Sequence, residues 1–193
     1  MPSKVDMKTF VISLLNTRLP AFYYYHNCSH SLDVLNNVIK IGRAEDCTEE
    51  QIDLLSTAAL WHDTGYIKTY AGHEEESCTM ARQYLPSYHY SPENIGKVCG
   101  MIMATKIPQS PRNKLEEIIA DADLQYLGTA AWRTRSDDLF EELRCLDPSL
   151  TKVAWNQKQI SFLGEHHYFT RFCKTNNERI KQENLGQLLR GDT

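Results

Sequence analysis

Residues 48–65 read TEEQIDLLSTAALWHDTG. Thr48 followed by Gln51 has the form of a capping box, and Ile52, Leu55, Ala59 and Leu60 recur at the three- and four-residue spacing of one helix face. The stretch predicts a helix running to about His62 and stopped by Thr64-Gly65, with a His-Asp doublet at its C-terminal end. On the N-terminal side, Asp6 is expected to cap a helix that carries Phe10, Val11, Leu14 and Leu15 and ends near Pro20. A second amphipathic stretch, with Leu32, Leu35, Val38, Ile39 and Ile41, is expected to stop around Gly42. Further helices are predicted over 74–85, 93–105, 112–126, 135–145, 149–163 and 166–190. Val, Ile and Thr nowhere alternate with polar residues over a strand length. The expectation is an all-α chain, a single bundle of about eight or nine helices spanning 1–193.

Composition sets the outer limits. At 193 residues the chain suits one domain rather than two, and 41% hydrophobic with 24% charged residues excludes a disordered or fibrous chain. Twenty-one Lys and Arg against 25 Asp and Glu give a net charge of -4, which argues against general capture of a nucleic-acid polymer. No run reaches the roughly 18 apolar residues of a membrane span, and no cleavage site follows the short apolar run at 10–15. A cytoplasmic protein without membrane association is therefore expected, and nothing in the pattern specifies an oligomeric state. The six cysteines contain no CxxC pair, so neither a zinc ribbon nor a thioredoxin-type dithiol is indicated, and reduced, partly buried thiols are expected.

Chemistry-bearing residues gather in four places. Tyr25-His26-Asn27-Cys28-Ser29-His30 stands at the entry of the second helix; were the stretch helical, His26 and His30 would share a face. His62-Asp63 stands at a fraying terminus, where both side chains can turn toward one point. Asp121-Ala122-Asp123 lies in an otherwise apolar helix, where carboxylates need partners or a cation. His73-Glu74-Glu75-Glu76 opens the fourth helix, where acidic residues also suit the helix dipole. Taken singly, each has an ordinary structural explanation. Taken in order, a His, a His-Asp doublet and a later Asp supply two imidazoles and two carboxylates from three helices. That mixed nitrogen and oxygen set suits one octahedral divalent ion with two positions open to water or substrate.

At these residues the sequence resembles the HD-domain superfamily of metal-dependent phosphohydrolases, through YHNCSH, AALWHDTGY, HEEES and IIADADLQYLG over roughly residues 22–128. The resemblance implies a helical metal-binding core there, with helices of 129–193 packed on it. It also implies His30, His62, Asp63 and Asp123 as metal ligands, Asp123 being preferred over Asp121 with the choice left open. Tyr25 to Val34 is similar, besides, to the signature of cyclic-nucleotide phosphodiesterases, which implies His26 as general acid. The resulting expectation is a hydrolase that cleaves a phosphate ester of a small molecule, such as a nucleotide, by a metal-activated water. Asp63 then has a catalytic as well as a ligand role, Glu74 orients or deprotonates the water, and His73 is a ligand if a second ion binds. Lys106, His166 and Tyr168 are the expected substrate contacts. The ion is one of Mn, Mg, Fe, Co, Ni or Zn, since such ligands accept several. Three rival readings are a cyclic-nucleotide phosphodiesterase, a di-iron oxygenase, and a metal-dependent nucleotide sensor without turnover. The oxygenase needs two further histidines between the doublet and the last Asp, where the sequence offers His73 and His89.

Overall fold

The computed structural model describes residues 4–191 and shows, among them, ten α-helices, three short 3₁₀ turns and no strand. In chain order the helices are α1 (Lys4–Arg18), α2 (Cys28–Ala44), α3 (Glu49–Trp61), α4 (His73–Tyr84), α5 (Pro92–Ala104), α6 (Lys114–Asp123), α7 (Trp132–Leu146), α8 (Lys152–Glu165), α9 (Arg171–Asn176) and α10 (Glu178–Arg190). None is long and apolar enough to cross a membrane.

Local chemistry explains the boundaries. The Thr48 hydroxyl accepts from the Gln51 N–H and the Gln51 side chain accepts from the Thr48 N–H, the reciprocal pairing read from sequence. Such a cap stabilises a helix start by about 1 kcal/mol. Asp6, by contrast, lies inside the first turn of α1, where its charge meets the helix dipole rather than serving as the cap. The cap of α2 is Asn27, whose Oδ1 accepts from the N–H groups of Ser29 and His30. His26 therefore precedes the helix, and the shared helical face of His26 and His30 does not form.

The predicted helix over 166–190 is broken. Residues 166–170 are extended, α9 starts at its Thr170 cap, and Asn177 separates α9 from α10. This break raises the helix count to ten. At Asn177 the chain meets another segment: a Cβ on Gly128 would stand 2.3 Å from the Asn177 carbonyl oxygen, so the bare backbone of Gly128 is pressed against Asn177. The Asn177 side chain donates to the Gly128 carbonyl.

The main core is built by α2 through α6. Val34, Val38 and Ile41 of α2, Leu55, Ala58, Ala59 and Trp61 of α3, Val98 and Ile102 of α5, and Ile118 and Ile119 of α6 are all buried. Each fully buried branched side chain contributes about 1.5–3 kcal/mol. A smaller cluster, Leu124, Leu127, Trp132, Leu163 and Leu188, joins the end of α6 to α7, α8 and α10. The C-terminal helices thus rest on the end of the bundle where α6 presents Asp123.

Candidate metal centre and pocket

The His-Asp doublet sits where α3 runs out. His62 is the C-cap residue and Asp63 follows with φ -104° and ψ 4°, no longer helical, so the two side chains are released from the 100° divergence of adjacent helical residues. The next turn needs Gly65. A Cβ there would lie 2.0 Å from the His73 carbonyl oxygen, and the Gly65 N–H donates to Ser77 Oγ at 2.8 Å. This close approach seats the first turn of α4 against the doublet.

Two helices, α2 and α6, and the doublet at the end of α3 converge on one point. His30 Nε2 lies 3.0 Å from Asp123 Oδ1 and 3.4 Å from Asp63 Oδ2. His62 Nε2 lies 3.2 Å from Asp63 Oδ2, 3.6 Å from Asp123 Oδ1 and 3.4 Å from His30 Nε2. His62 Nδ1–H donates to the Ala59 carbonyl at 2.8 Å, which fixes the ring and turns Nε2 toward the cluster. Burial opposes charge on His62, yet the adjoining carboxylates of Asp63 and Asp123 outweigh it and raise the imidazole well above its ordinary value. Burial would likewise raise both carboxyls, and the histidines hold them below the usual range instead. A site that draws positive charge this strongly fits a cation. Asp63 Oδ2 is buried without a hydrogen bond, and a divalent ion would satisfy it. His30, His62 and Asp123 each offer a ligand atom within 4.8 Å of one another, and Asp63 Oδ2 faces the same two imidazoles.

Asp121 is elsewhere. Its carboxylate accepts from the Phe169 N–H at 2.9 Å, the Thr170 N–H at 2.8 Å and the Thr170 hydroxyl at 2.6 Å, holding the extended segment before α9. The two carboxylates of the Asp-Ala-Asp run thus point to different sides of α6, as residues two apart on a helix must.

Around the cluster stand His26, His73 and Glu74. His26 Nδ1–H donates to Glu142 Oε1 at 2.5 Å, and the N–H groups of Tyr25 and His26 donate to Glu142 Oε2, each at 3.0 Å. Glu142, on α7, is fully buried, and its three donors immobilise the loop before α2. The other imidazole nitrogen, Nε2, lies 3.1 Å from the Tyr66 hydroxyl. Tyr66 stacks in turn on His73 at 3.8 Å between ring centroids. His73 Nε2 is 3.6 Å from Asp63 Oδ1, the oxygen turned away from His30 and His62, and Glu74 Oε2 is 3.5 Å from His73 Nδ1. Glu142 has no motif in the sequence. It sits 116 residues from His26 and, in the pair Glu141-Glu142, reads like a solvated helix face.

A cavity of about 370 Å³ opens from this cluster. Its wall includes His26, Asp63, His73, Glu74 and Asp123 at one end, Tyr25, Tyr66, Tyr70 and Tyr126 around them, and Leu139, Leu143, Trp155, Lys158, Gln159 and Phe162 from α7 and α8. The expected substrate contacts lie outside it. Lys106, just after α5, is exposed and paired with Glu75 and does not line the cavity, while its neighbour Ile107 enters the wall. Tyr168 is buried and donates its hydroxyl to the carbonyls of Leu124 and Gln125, so it fastens the end of α6. His166 packs against Lys181 and lines a separate, smaller cavity. His89 lines a surface cleft with Glu50 and Asp53, so of the two intervening histidines only His73 joins the cluster.

Comparison with known proteins places this geometry. A model of the HD domain matches residues 28–124. Among solved structures, the crystal structure of a predicted HD superfamily hydrolase from an uncultured Thermotogales bacterium is similar at 18% identity, with a TM-score of 0.63 over 96% of this chain and 92% of that one. At that identity the likeness is one of fold. No curated protein matches the chain.

Proposed function

Because the chain belongs to the HD-domain family, we propose that it is a metal-dependent phosphohydrolase acting on a phosphate ester of a small molecule, a mononucleotide being of suitable size. One observation carries the reading: two imidazoles and two carboxylates converge on a point in the wall of a cavity that also presents a carboxylate-backed imidazole. His30, His62, Asp63 and Asp123 would hold the ion. When bound, a divalent ion polarises a phosphoryl oxygen and acidifies a water. His26 gives the Nε2 proton to the leaving oxygen, and Glu142 stabilises the imidazolium that does so. Tyr66 occupies Nε2 until a substrate oxygen replaces its hydroxyl. Glu74, buried beside His73, takes the proton of the attacking water. A second ion, if held, would use Asp63 Oδ1 and His73. Lys158 is the cationic side chain of the cavity wall and meets substrate charge at its mouth, in place of Lys106. The aromatic and leucine surface of α7 and α8 takes the organic part of the ester.

The test is hydrolysis by purified protein supplied with Mn²⁺, Mg²⁺, Co²⁺ or Fe²⁺, measured on phosphomonoesters, linear nucleotides and cyclic nucleotides. Turnover should require the ion and vanish in Asp63→Ala while the circular dichroism of the helices is kept. Activity that survives that substitution, or that needs no metal, overturns the proposal. Preference for cyclic nucleotides would favour the phosphodiesterase form of the same chemistry.

A further inference from the structure

Cys78 of α4 and Cys99 of α5 face each other across the contact of the two helices. Cys78 Sγ donates to the Cys99 carbonyl at 3.5 Å and Cys99 Sγ donates to the Cys78 carbonyl at 3.8 Å, so each sulfur lies over the other residue's backbone. Both are buried, at 2% and 4% exposure. They differ in access. Cys99 lines an open groove of about 560 Å³ together with Arg82, Gly96, Gly100 and Met103. Gly96 and Gly100 flank it on the same face of α5. A Cβ at Gly96 would meet nothing within 4 Å, and one at Gly100 only the Glu116 side chain. The missing side chains leave an approach to the sulfur of Cys99, whereas Cys78 lies behind it. The remaining cysteines, Cys28, Cys47, Cys145 and Cys173, are free thiols with no such reciprocal contact.

We propose that Cys78 and Cys99 form an oxidisable dithiol, in which Cys99 reacts first with hydrogen peroxide entering through the groove and Cys78 resolves it to a disulfide between α4 and α5. The Cys99 thiolate attacks one peroxide oxygen, the O–O bond breaks, and the departing hydroxide takes a proton to become water, leaving a sulfenic acid. The Cys78 sulfur then attacks that sulfur, the S–O bond breaks with loss of a second water, and the S–S bond closes. Two electrons pass from the two thiols to the peroxide. The reactivity order agrees with the surroundings of the sulfurs. The neighbouring Cys78 thiol, aided by Arg82, brings the Cys99 thiol down to about 7 against the effect of burial, while Cys78 is pushed up. The cross-link would pin α4, whose first turn carries His73 and Glu74, against α5.

The experiment uses the full reduced chain, titrated with hydrogen peroxide, alkylated, and mapped by mass spectrometry without reduction. A Cys78–Cys99 linked peptide lacking two hydrogens should appear at oxidant levels that leave Cys28, Cys47 and Cys173 alkylated, and dithiothreitol should reverse it. In Cys78→Ala, dimedone should label Cys99; in Cys99→Ala, it should leave Cys78 unlabelled. Oxidation of the exposed Cys145 with Cys99 still a thiol overturns the proposal, as does a Cys99 sulfenic acid that persists in the unsubstituted chain. Mapping of that chain decides the matter even if a substituted chain fails to fold.

Discussion

Asp121 and Asp123 are chemically identical, two residues apart, and have different work. Asp123 faces two imidazoles; Asp121 accepts three hydrogen bonds from the segment that starts α9. Asp123→Asn should cut bound metal at least tenfold by elemental analysis at about 1:1 loading. Asp121→Asn should keep the metal and lose about 1–3 kcal/mol in urea unfolding, the cost of weakening buried charge-assisted bonds. Equal metal loss in both would contradict the assignment. Glu142 offers a second contrast at this scale. Replacing it with Gln removes the carboxylate oxygen that holds His26 Nδ1–H, so the proton donor loses its anchor. The kcat should fall by roughly tenfold or more, a typical share for general acid catalysis. Metal content should not change, since Glu142 touches none of the four ligands. An unchanged kcat would mean that His26 is not the donor.

Among the elements, the turn joining α3 to α4 governs the site. It was visible in sequence as Thr64-Gly65, a stop signal, but the need for glycine is not one of helix termination. The Cβ of any other residue would meet the carbonyl of His73 at 2.0 Å, so the two helices would have to part. Gly65→Ala should therefore displace α4 from Asp63. We expect a lower melting temperature and metal affinity weakened by at least tenfold, with helix content retained. Normal affinity by calorimetric titration would show that the turn can relax without moving Asp63. By comparison, α2 and α3 depend on caps, Asn27 and Thr48, that were legible or nearly so because caps act within a few residues. The contact at Asn177 was illegible because the residue it meets, Gly128, lies 49 positions away.

On the scale of the molecule, the C-terminal helices complete what the central bundle begins. They supply Glu142, the leucine and aromatic wall of the cavity and, through Lys181, an anchor for the segment that Asp121 holds. Lys181 is fully buried, donates to the His166 carbonyl and pairs with Glu178 at 3.1 Å. His166 feels that burial first, then the charge of Lys181, and its pKa is lowered to about 4; Glu178 acts against this and His167 with it. The folded chain thus keeps His166 neutral down to about 4, while the unfolded chain protonates it near 6.5. Stability present above about pH 6.5 should be lost as the pH falls to about 4 and then level off, by about 3 kcal/mol in total for this group. Urea midpoints measured from pH 7.5 to 4.5 should fall less in His166→Gln than in the parent. Parallel curves would rule His166 out as the cause.

The all-helical architecture, the capping box and the types of the convergent groups, two imidazoles and two carboxylates, were readable in the sequence, because helical periodicity and the order of the His and Asp residues are local or nearly local properties. Which aspartate of the Asp-Ala-Asp run faces the cluster, which lysine borders the cavity, and what stands behind His26 depended on contacts across many tens of residues. Lys106 follows an apolar helix and looks like an anion contact, but the packing of α4 on α5 turns it toward Glu75. Glu142 looks like surface, but the seating of α7 on the loop before α2 buries it. A side chain's type fixes what it can bond; only the folded chain decides which partner lies within 3 Å.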